Sequence, residues 1–358
     1  MPNSRGSVFA APTTVSNGVD NSTPRAGSAE VGKTQRIAPL DFTKGILVLV
    51  MVLYHWLNYF VTGHDWVYKY LRFLPISFTF ISGFLISQVY LSKYERVDLK
   101  VPKRLFMRGL KLLAIVAVLN LAPRMLHFQT LRMRASNWSF TAFAWDYLLG
   151  EHAIAFSVLV PIAYLLILSS GIFLVSKHWK NAYHVTCLVL VLGAMACEVG
   201  KINGGYVQTV SIGMLGVSIG HISMDQINRL LIHGRLIFLA YVGYLFAIMI
   251  WNDSYVLQIV GVCVTLLFIY WCGTLIVERH GSGKIAILLG QYSLFSYIIQ
   301  IVILQILRSG LRAFTTGIGA SIAAFLACIG CTILSVGVLD NSRRRAPAIN
   351  TLYKAVFS

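Results

Sequence analysis

From about residue 40 onward the chain is a close succession of apolar runs. Most approach the ~20 residues that a helix needs to cross a hydrocarbon core. Short polar loops join them, and a chain written this way has few places to bury itself except a bilayer. A soluble domain carries about 25% charged residues. This one carries 12%, with 57% hydrophobic residues and a mean hydropathy of +0.71. A globular core of this composition would expose large apolar patches. The predicted fold is therefore all-α, a polytopic transmembrane helix bundle of about ten spans, near 43–62, 70–91, 105–122, 151–176, 182–199, 206–223, 230–251, 254–277, 291–307 and 314–338. The segment Phe140 to Gly150 is aromatic and apolar but too short to cross, so it is expected at the interface or as a re-entrant piece. No internal repeat is evident.

Three regions follow from this pattern. Residues 1–38 are rich in Ser, Thr, Pro, Gly and Asn and lack an apolar core, which predicts a disordered cytoplasmic tail rather than a signal peptide. Residues 39–340 form the membrane domain, and 341–358 a short basic cytoplasmic tail. The formal net charge of +17 is clustered between the apolar runs, which points to topology and anionic lipid instead of nucleic acid. With the N-terminus inside, about 22 of the 30 Lys and Arg residues fall on one side. That bias predicts both termini in the cytoplasm. The six cysteines lie in apolar runs without a second pair or a nearby His, so they read as packing residues, with no disulfide and no metal site expected.

A few polar residues fall inside these runs. The first span begins Leu40-Asp41-Phe42-Thr43-Lys44-Gly45 and continues to Tyr54-His55-Trp56. Eleven residues separate Lys44 from His55, three helical turns with about 20° left over, so both share one face about 16 Å apart along the axis. A deep ionisable group is costly in a membrane and is a functional candidate. His55 reads either as a proton acceptor or as a neutral imidazole bonded between helices. Arg104, Arg108 and Lys111 follow i, i+4, i+7 spacing and form a basic stripe running into the third span. Such a stripe suits the phosphates of an anionic ligand entering from the cytoplasm, or simply lipid headgroups. In the second span Ser82 and Gly83 suit close helix packing. Ser293, Ser296, Tyr297 and Gln300 share a face late in the chain that either lines a cavity or joins helices. On the opposite side, Glu151 and His152 sit where an external molecule can approach, or serve as interfacial polar residues.

Taken together, these segments resemble the acyltransferase-3 family of integral membrane acyltransferases. That family shows Leu-Asp, a basic residue and Gly in its first helix, with His eleven positions after the basic residue; Leu40, Asp41, Lys44, Gly45 and His55 match. The run from Phe78 or Phe80 through Ser82, Gly83 and Ile86 is similar to its second helix. The family's Arg-x-x-Arg appears here as Arg108-Gly-Leu-Lys111, with charge kept and a planar fork lost. Leu289-Gly290 through Tyr297 resembles a later helix, with Gln300 where many members place a His a little further on. The resemblance implies an enzyme that moves an acyl group, acetyl or succinyl, from cytoplasmic acyl-CoA to a hydroxyl of an extracytoplasmic or lipid-linked glycan in the bacterial cytoplasmic (inner) membrane. Acyl-CoA is then a co-substrate, and no cofactor is permanently bound. The implied roles are catalysis for His55 and Glu151, donor binding for Lys44, Arg104, Arg108 and Lys111, and a cavity lining that includes Asp41, Ser82, Tyr297 and Gln300.

The alternative is a proton-coupled transporter or flippase of a small molecule or lipid-linked sugar, which buried charges and a deep His also suit. Against it stand the missing repeat and the scarcity of membrane-embedded carboxylates. A lipid-phosphate glycosyltransferase would want acidic residues in the first external loop, which offers only Asp65. A non-catalytic scaffold would not need Lys44 and His55 on one face.

Overall fold

A computed structural model describes residues 37–61, 65–91, 100–125, 156–202, 204–251, 254–279, 282–311 and 318–357. The predicted tail up to residue 36, the segment Phe140–Gly150, and Glu151 with His152 lie outside the described residues. Among the described residues there is no strand. The helices are α1 (Ala38–Phe60), α2 (Asp65–Leu71), α3 (Phe73–Leu85), α4 (Lys100–Met125), α5 (Leu159–Ser176), α6 (Ala182–Val199), α7 (Gly205–Ile219), α8 (Met224–Leu231), α9 (Gly234–Ile250), α10 (Tyr255–Thr274), α11 (Lys284–Gln291), α12 (Ser293–Leu311), α13 (Ile318–Arg345) and α14 (Pro347–Phe357). Two of them pass into wider π-helical turns, α3 through Ile86–Leu91 and α10 through Leu275–Arg279.

Local chemistry sets several boundaries. Pro39 sits in the first turn of α1, where its missing N–H costs nothing. Ser223 and Gln226 form a reciprocal capping box at the start of α8, and the Ser254 hydroxyl accepts from the Leu257 N–H at the start of α10. Gly283, with φ of 89°, makes the left-handed turn into α11 that a Cβ would disfavour.

Each predicted span coincides with a helix in the described residues, but the helices differ in how well they suit a bilayer. Seven helical segments are long and apolar enough to cross a membrane by length and composition, or eight if the α7–α8 pair, bent by 96°, counts as one. The other two predicted spans fall short for different reasons. The α9 helix, Gly234–Ile250, has 17 residues. The α4 helix is long, but its sequence carries Lys100, Lys103, Arg104, Arg108 and Lys111 in its first half. At the other end, α13 continues past its predicted end to Arg345, and residues expected to form a tail build α14.

Between lipid-immersed helices the hydrophobic effect supplies little force, so close packing must hold them. Two crossings show how. A Cβ on Gly45 of α1 would collide with the carbonyl of Ala286 in α11, and one on Gly290 of α11 would collide with the carbonyl of Asp41. Gly83 of α3 faces the Gly213 carbonyl of α7 in the same way, and Gly216 faces the carbonyl of Phe80. The core between these crossings is dense: Leu47, Met51, Leu74, Val116, Val160 and Ile212 have no exposed surface. Outward faces are apolar, with Leu188, Leu192, Phe246, Met249, Leu326 and Leu334 all exposed, as a lipid boundary requires.

Candidate functional site: a cavity lined by Arg108, Lys111 and Tyr297

The helix that carries the basic stripe also bounds a cavity. It has a volume of about 340 Å³ and lies among α3 with its π turn, α4, α5, α12 and the end of α14. That is at the small end of the ~300–1,000 Å³ typical of ligand pockets. Most of the wall is apolar, including Phe78, Leu112, Ile115, Ile162 and Leu294. Its polar groups are Ser82, Tyr90, Arg108, Lys111, Ser293 and Tyr297.

Two of the three predicted stripe residues reach this cavity. Arg108 donates to the Tyr90 hydroxyl and places its guanidinium 5.6 Å from the centre of that ring. Hydrogen bond and cation–π contact together fix a side chain that would otherwise have many rotamers. Lys111, one turn further along, donates from Nζ to the Ala355 carbonyl of α14 at 3.0 Å. Arg104 is exposed and outside the wall, as its position one turn before Arg108 dictates.

Tyr297 lines the cavity and also touches His55. The ring centroids are 6.1 Å apart, tilted by 53°. Phe78 and Phe156 pack on Tyr297 at 6.2 and 6.3 Å. On the α1 side, Tyr54 meets His55 edge-on at 5.4 Å and Tyr59 stacks at 6.2 Å. His55 Nε2 is buried and has no hydrogen-bond partner among the described residues. A buried polar nitrogen left so costs roughly 1–3 kcal/mol. It is a group that a ligand hydroxyl would satisfy.

Phe156 sits at a strained point. Its φ is 63°, left-handed for a bulky residue, and its side chain is 4% exposed. Backbone of this kind costs about 1–3 kcal/mol and is held only by its surroundings. Here it turns the ring edge-on to Tyr297 at the start of α5.

Most of the remaining predicted residues stand apart from the cavity. Lys44 is paired with Asp41 at 2.6 Å, three positions away on α1, and the pair is largely buried. Its charge is spent within its own helix, and neither residue lines the cavity. Ser293 and Tyr297 turn to the cavity, while Ser296 and Gln300, on the adjoining strip of α12, are fully buried in the bundle. Both amide atoms of Gln300 lack a partner among the described residues, and its backbone carbonyl lies 3.7 Å from the Cys328 sulfur of α13. Tyr90, Phe156 and α14 were not singled out from sequence. For Tyr90 a signal existed, an aromatic hydroxyl closing an apolar run beside a basic cluster.

No family model matches the chain, no curated protein matches it, and no solved structure matches its fold.

Proposed function

We propose that the protein is a membrane-bound acyltransferase that takes an acyl group from cytoplasmic acyl-CoA and delivers it to a hydroxyl of an extracytoplasmic or lipid-linked glycan. The single observation carrying the reading is that Tyr297 belongs both to the wall of the cavity that Arg108 and Lys111 flank and to the ring cluster around His55. Ten spans of the bacterial cytoplasmic membrane, with both ends on the cytoplasmic side, would put that basic mouth on the donor side.

In this reading Arg108 and Lys111 hold the donor's phosphates. The thin pantetheine arm fills the apolar part of the cavity, which is too small for the nucleotide, and carries the thioester towards Tyr297. His55 Nε2 accepts the proton of the acceptor hydroxyl as its oxygen attacks the thioester carbonyl. The C–S bond then breaks, the CoA thiolate leaves, and the proton on His55 passes to it, so the ester and free CoA are the products. A route through an acyl-histidine uses the same groups in two steps.

The test is CoA release by purified protein in detergent, given a panel of short-chain acyl-CoAs and crude envelope glycans, beside His55→Ala and Arg108→Ala. Release that is lost with His55→Ala and that loses donor affinity with Arg108→Ala supports the reading. A wild-type protein that neither binds nor turns over any acyl-CoA refutes it, and proton-coupled transport becomes the next assay.

A further inference from the structure

The cavity wall is partly built by the last turn of α14, which rests on the bundle through one stripe of side chains. α14 is joined to α13 by Ala346 alone. One stripe of it faces the bundle: Asn350, Tyr353 and Phe357, spaced i, i+3, i+7. Asn350 accepts from Arg343 at 3.2 and 2.8 Å, the Arg343 guanidinium lies 4.0 Å from the centre of the Tyr353 ring, and Phe357 meets Phe295 at 6.2 Å. The opposite stripe, Ile349, Leu352 and Val356, is 38–65% exposed. Val356 and Phe357 nevertheless form part of the cavity wall.

One polar contact ties the last turn of α14 to the cavity. The Ala355 carbonyl is among the last four of its helix, which have no partner within the helix and sit at its negative end. It is satisfied by the Lys111 ammonium. A phosphate bonds an ammonium more strongly than a neutral amide carbonyl does. The ammonium has three donors, so an anionic ligand loosens the last turn of α14 where it draws Nζ out of reach of the Ala355 carbonyl.

We infer that α14 is a gate over the cavity, closed by Lys111 on the Ala355 carbonyl and by the Tyr353–Phe357 face, and released when a phosphate-bearing ligand takes Lys111. This rests on the reading of the cavity as a ligand site, though not on acyl transfer. In this position the last turn of α14 narrows the cavity without sealing it, and its displacement widens the way in. Bound ligand holds it open, so entry and exit at the mouth both pass through its movement.

The experiment places a reporter thiol inside the cavity with Ser82→Cys in the full chain and follows its modification by an anionic methanethiosulfonate, reading the peptide that holds position 82 by mass spectrometry. Adding Tyr353→Ala and Phe357→Ala should raise the rate about tenfold, since labelling follows the population of the open form. An unchanged rate overturns the gate. As a second measurement, Phe295→Cys with Phe357→Cys, oxidised to a disulfide, should slow labelling at position 82 relative to the same protein reduced beforehand; equal rates also overturn it. Coenzyme A is the ligand probe. If it protects position 82 and speeds amide exchange in residues 352–357, displacement is supported. If it protects position 82 and leaves that exchange unchanged, displacement is refuted. If the aromatic substitutions open the cavity but coenzyme A does neither, the gate stands and the acyl-CoA reading of the site falls.

Discussion

Replacing Gly45 by alanine should loosen the bundle at the crossing of α1 and α11, and the size of the effect can be worked out from what the new methyl meets. In most helix interiors Gly→Ala is favourable by about 0.8–1.0 kcal/mol, because alanine gives up less backbone freedom. At Gly45 the added Cβ would run into the Ala286 carbonyl, which is backbone and cannot swing aside. Overpacking of this kind costs about 1–3 kcal/mol. A backbone obstacle puts the cost in the upper half of that range, about 2–3 kcal/mol, so the net expectation is destabilisation of about 1–2 kcal/mol once the propensity gain is subtracted. Gly171 in α5 and Gly243 in α9 are internal controls, since nothing lies within 4 Å of a Cβ at either. There alanine should stabilise by about 0.4–1 kcal/mol. At about 2–4 °C per kcal/mol, the apparent Tm of Gly45→Ala in detergent should fall roughly 3–12 °C below that of the controls. Gly290→Ala drives the same two helices apart, so the double variant should cost less than the two single variants added together. A Gly45→Ala protein as stable as Gly171→Ala would show that α1 and α11 are not in backbone contact and would refute the reasoning. The crossing matters for the site because α1 carries His55 and α11 leads directly into α12 with Tyr297.

Arg108→Ala should raise the KM for acyl-CoA roughly 10–100-fold with a smaller change in kcat, the loss of one charge-assisted phosphate contact. Tyr90→Phe, which keeps the charge and loses only the hydroxyl that orients it, should raise KM by less than about tenfold; steady-state kinetics on the two variants separate binding from positioning. Tyr297→Phe keeps the ring between cavity and His55 and should retain folding and most donor affinity, whereas Tyr297→Ala should lower kcat more than it raises KM; equal effects on both would place Tyr297 outside the reacting centre. Phe156 offers an inverted ranking. Both Phe156→Ala and Phe156→Gly lose the buried ring, but glycine also relieves the left-handed backbone, so in thermal unfolding Phe156→Gly should be the more stable of the two by about 1–2 kcal/mol.

The sequence made the helices legible because a lipid-facing chain advertises its spans through run length, and the positions of the ten predicted segments reappear as helices. It also put Ser82, Arg108, Lys111 and Tyr297 forward together, and they share one cavity. Periodicity assigns residues to a face of their own helix, however, and says nothing of the neighbour that face will meet. Lys44 and His55 do lie on one face of an ideal helix, yet Lys44 is engaged by Asp41, an i, i+3 opposite charge that could have been read locally. The common face of Ser293 through Gln300 divides, because a strip wide enough to hold four polar residues spans both the cavity and the contact with α13. α14 escaped notice because its short apolar stripe looks like a tail until Arg343 and Tyr292 supply something to lean on. The strain at Phe156 is a backbone property with no residue signature at all.

The π-helical turn at the end of α3 makes the partnership of Tyr90 and Arg108 a matter of counting. A π turn takes up an extra residue without lengthening the helix by a full step, so every side chain beyond it is carried about 100° around from where an unbroken α-helix would set it. Tyr90 lies in that turn, and its meeting with Arg108 is fixed by how many residues precede it as much as by what they are. Removing a single residue between Ile86 and Val89 would leave composition and hydropathy nearly untouched and swing the phenol to another side of the helix. The mouth of the cavity is thus sensitive to a kind of change, insertion or deletion by one, that substitution scanning never samples.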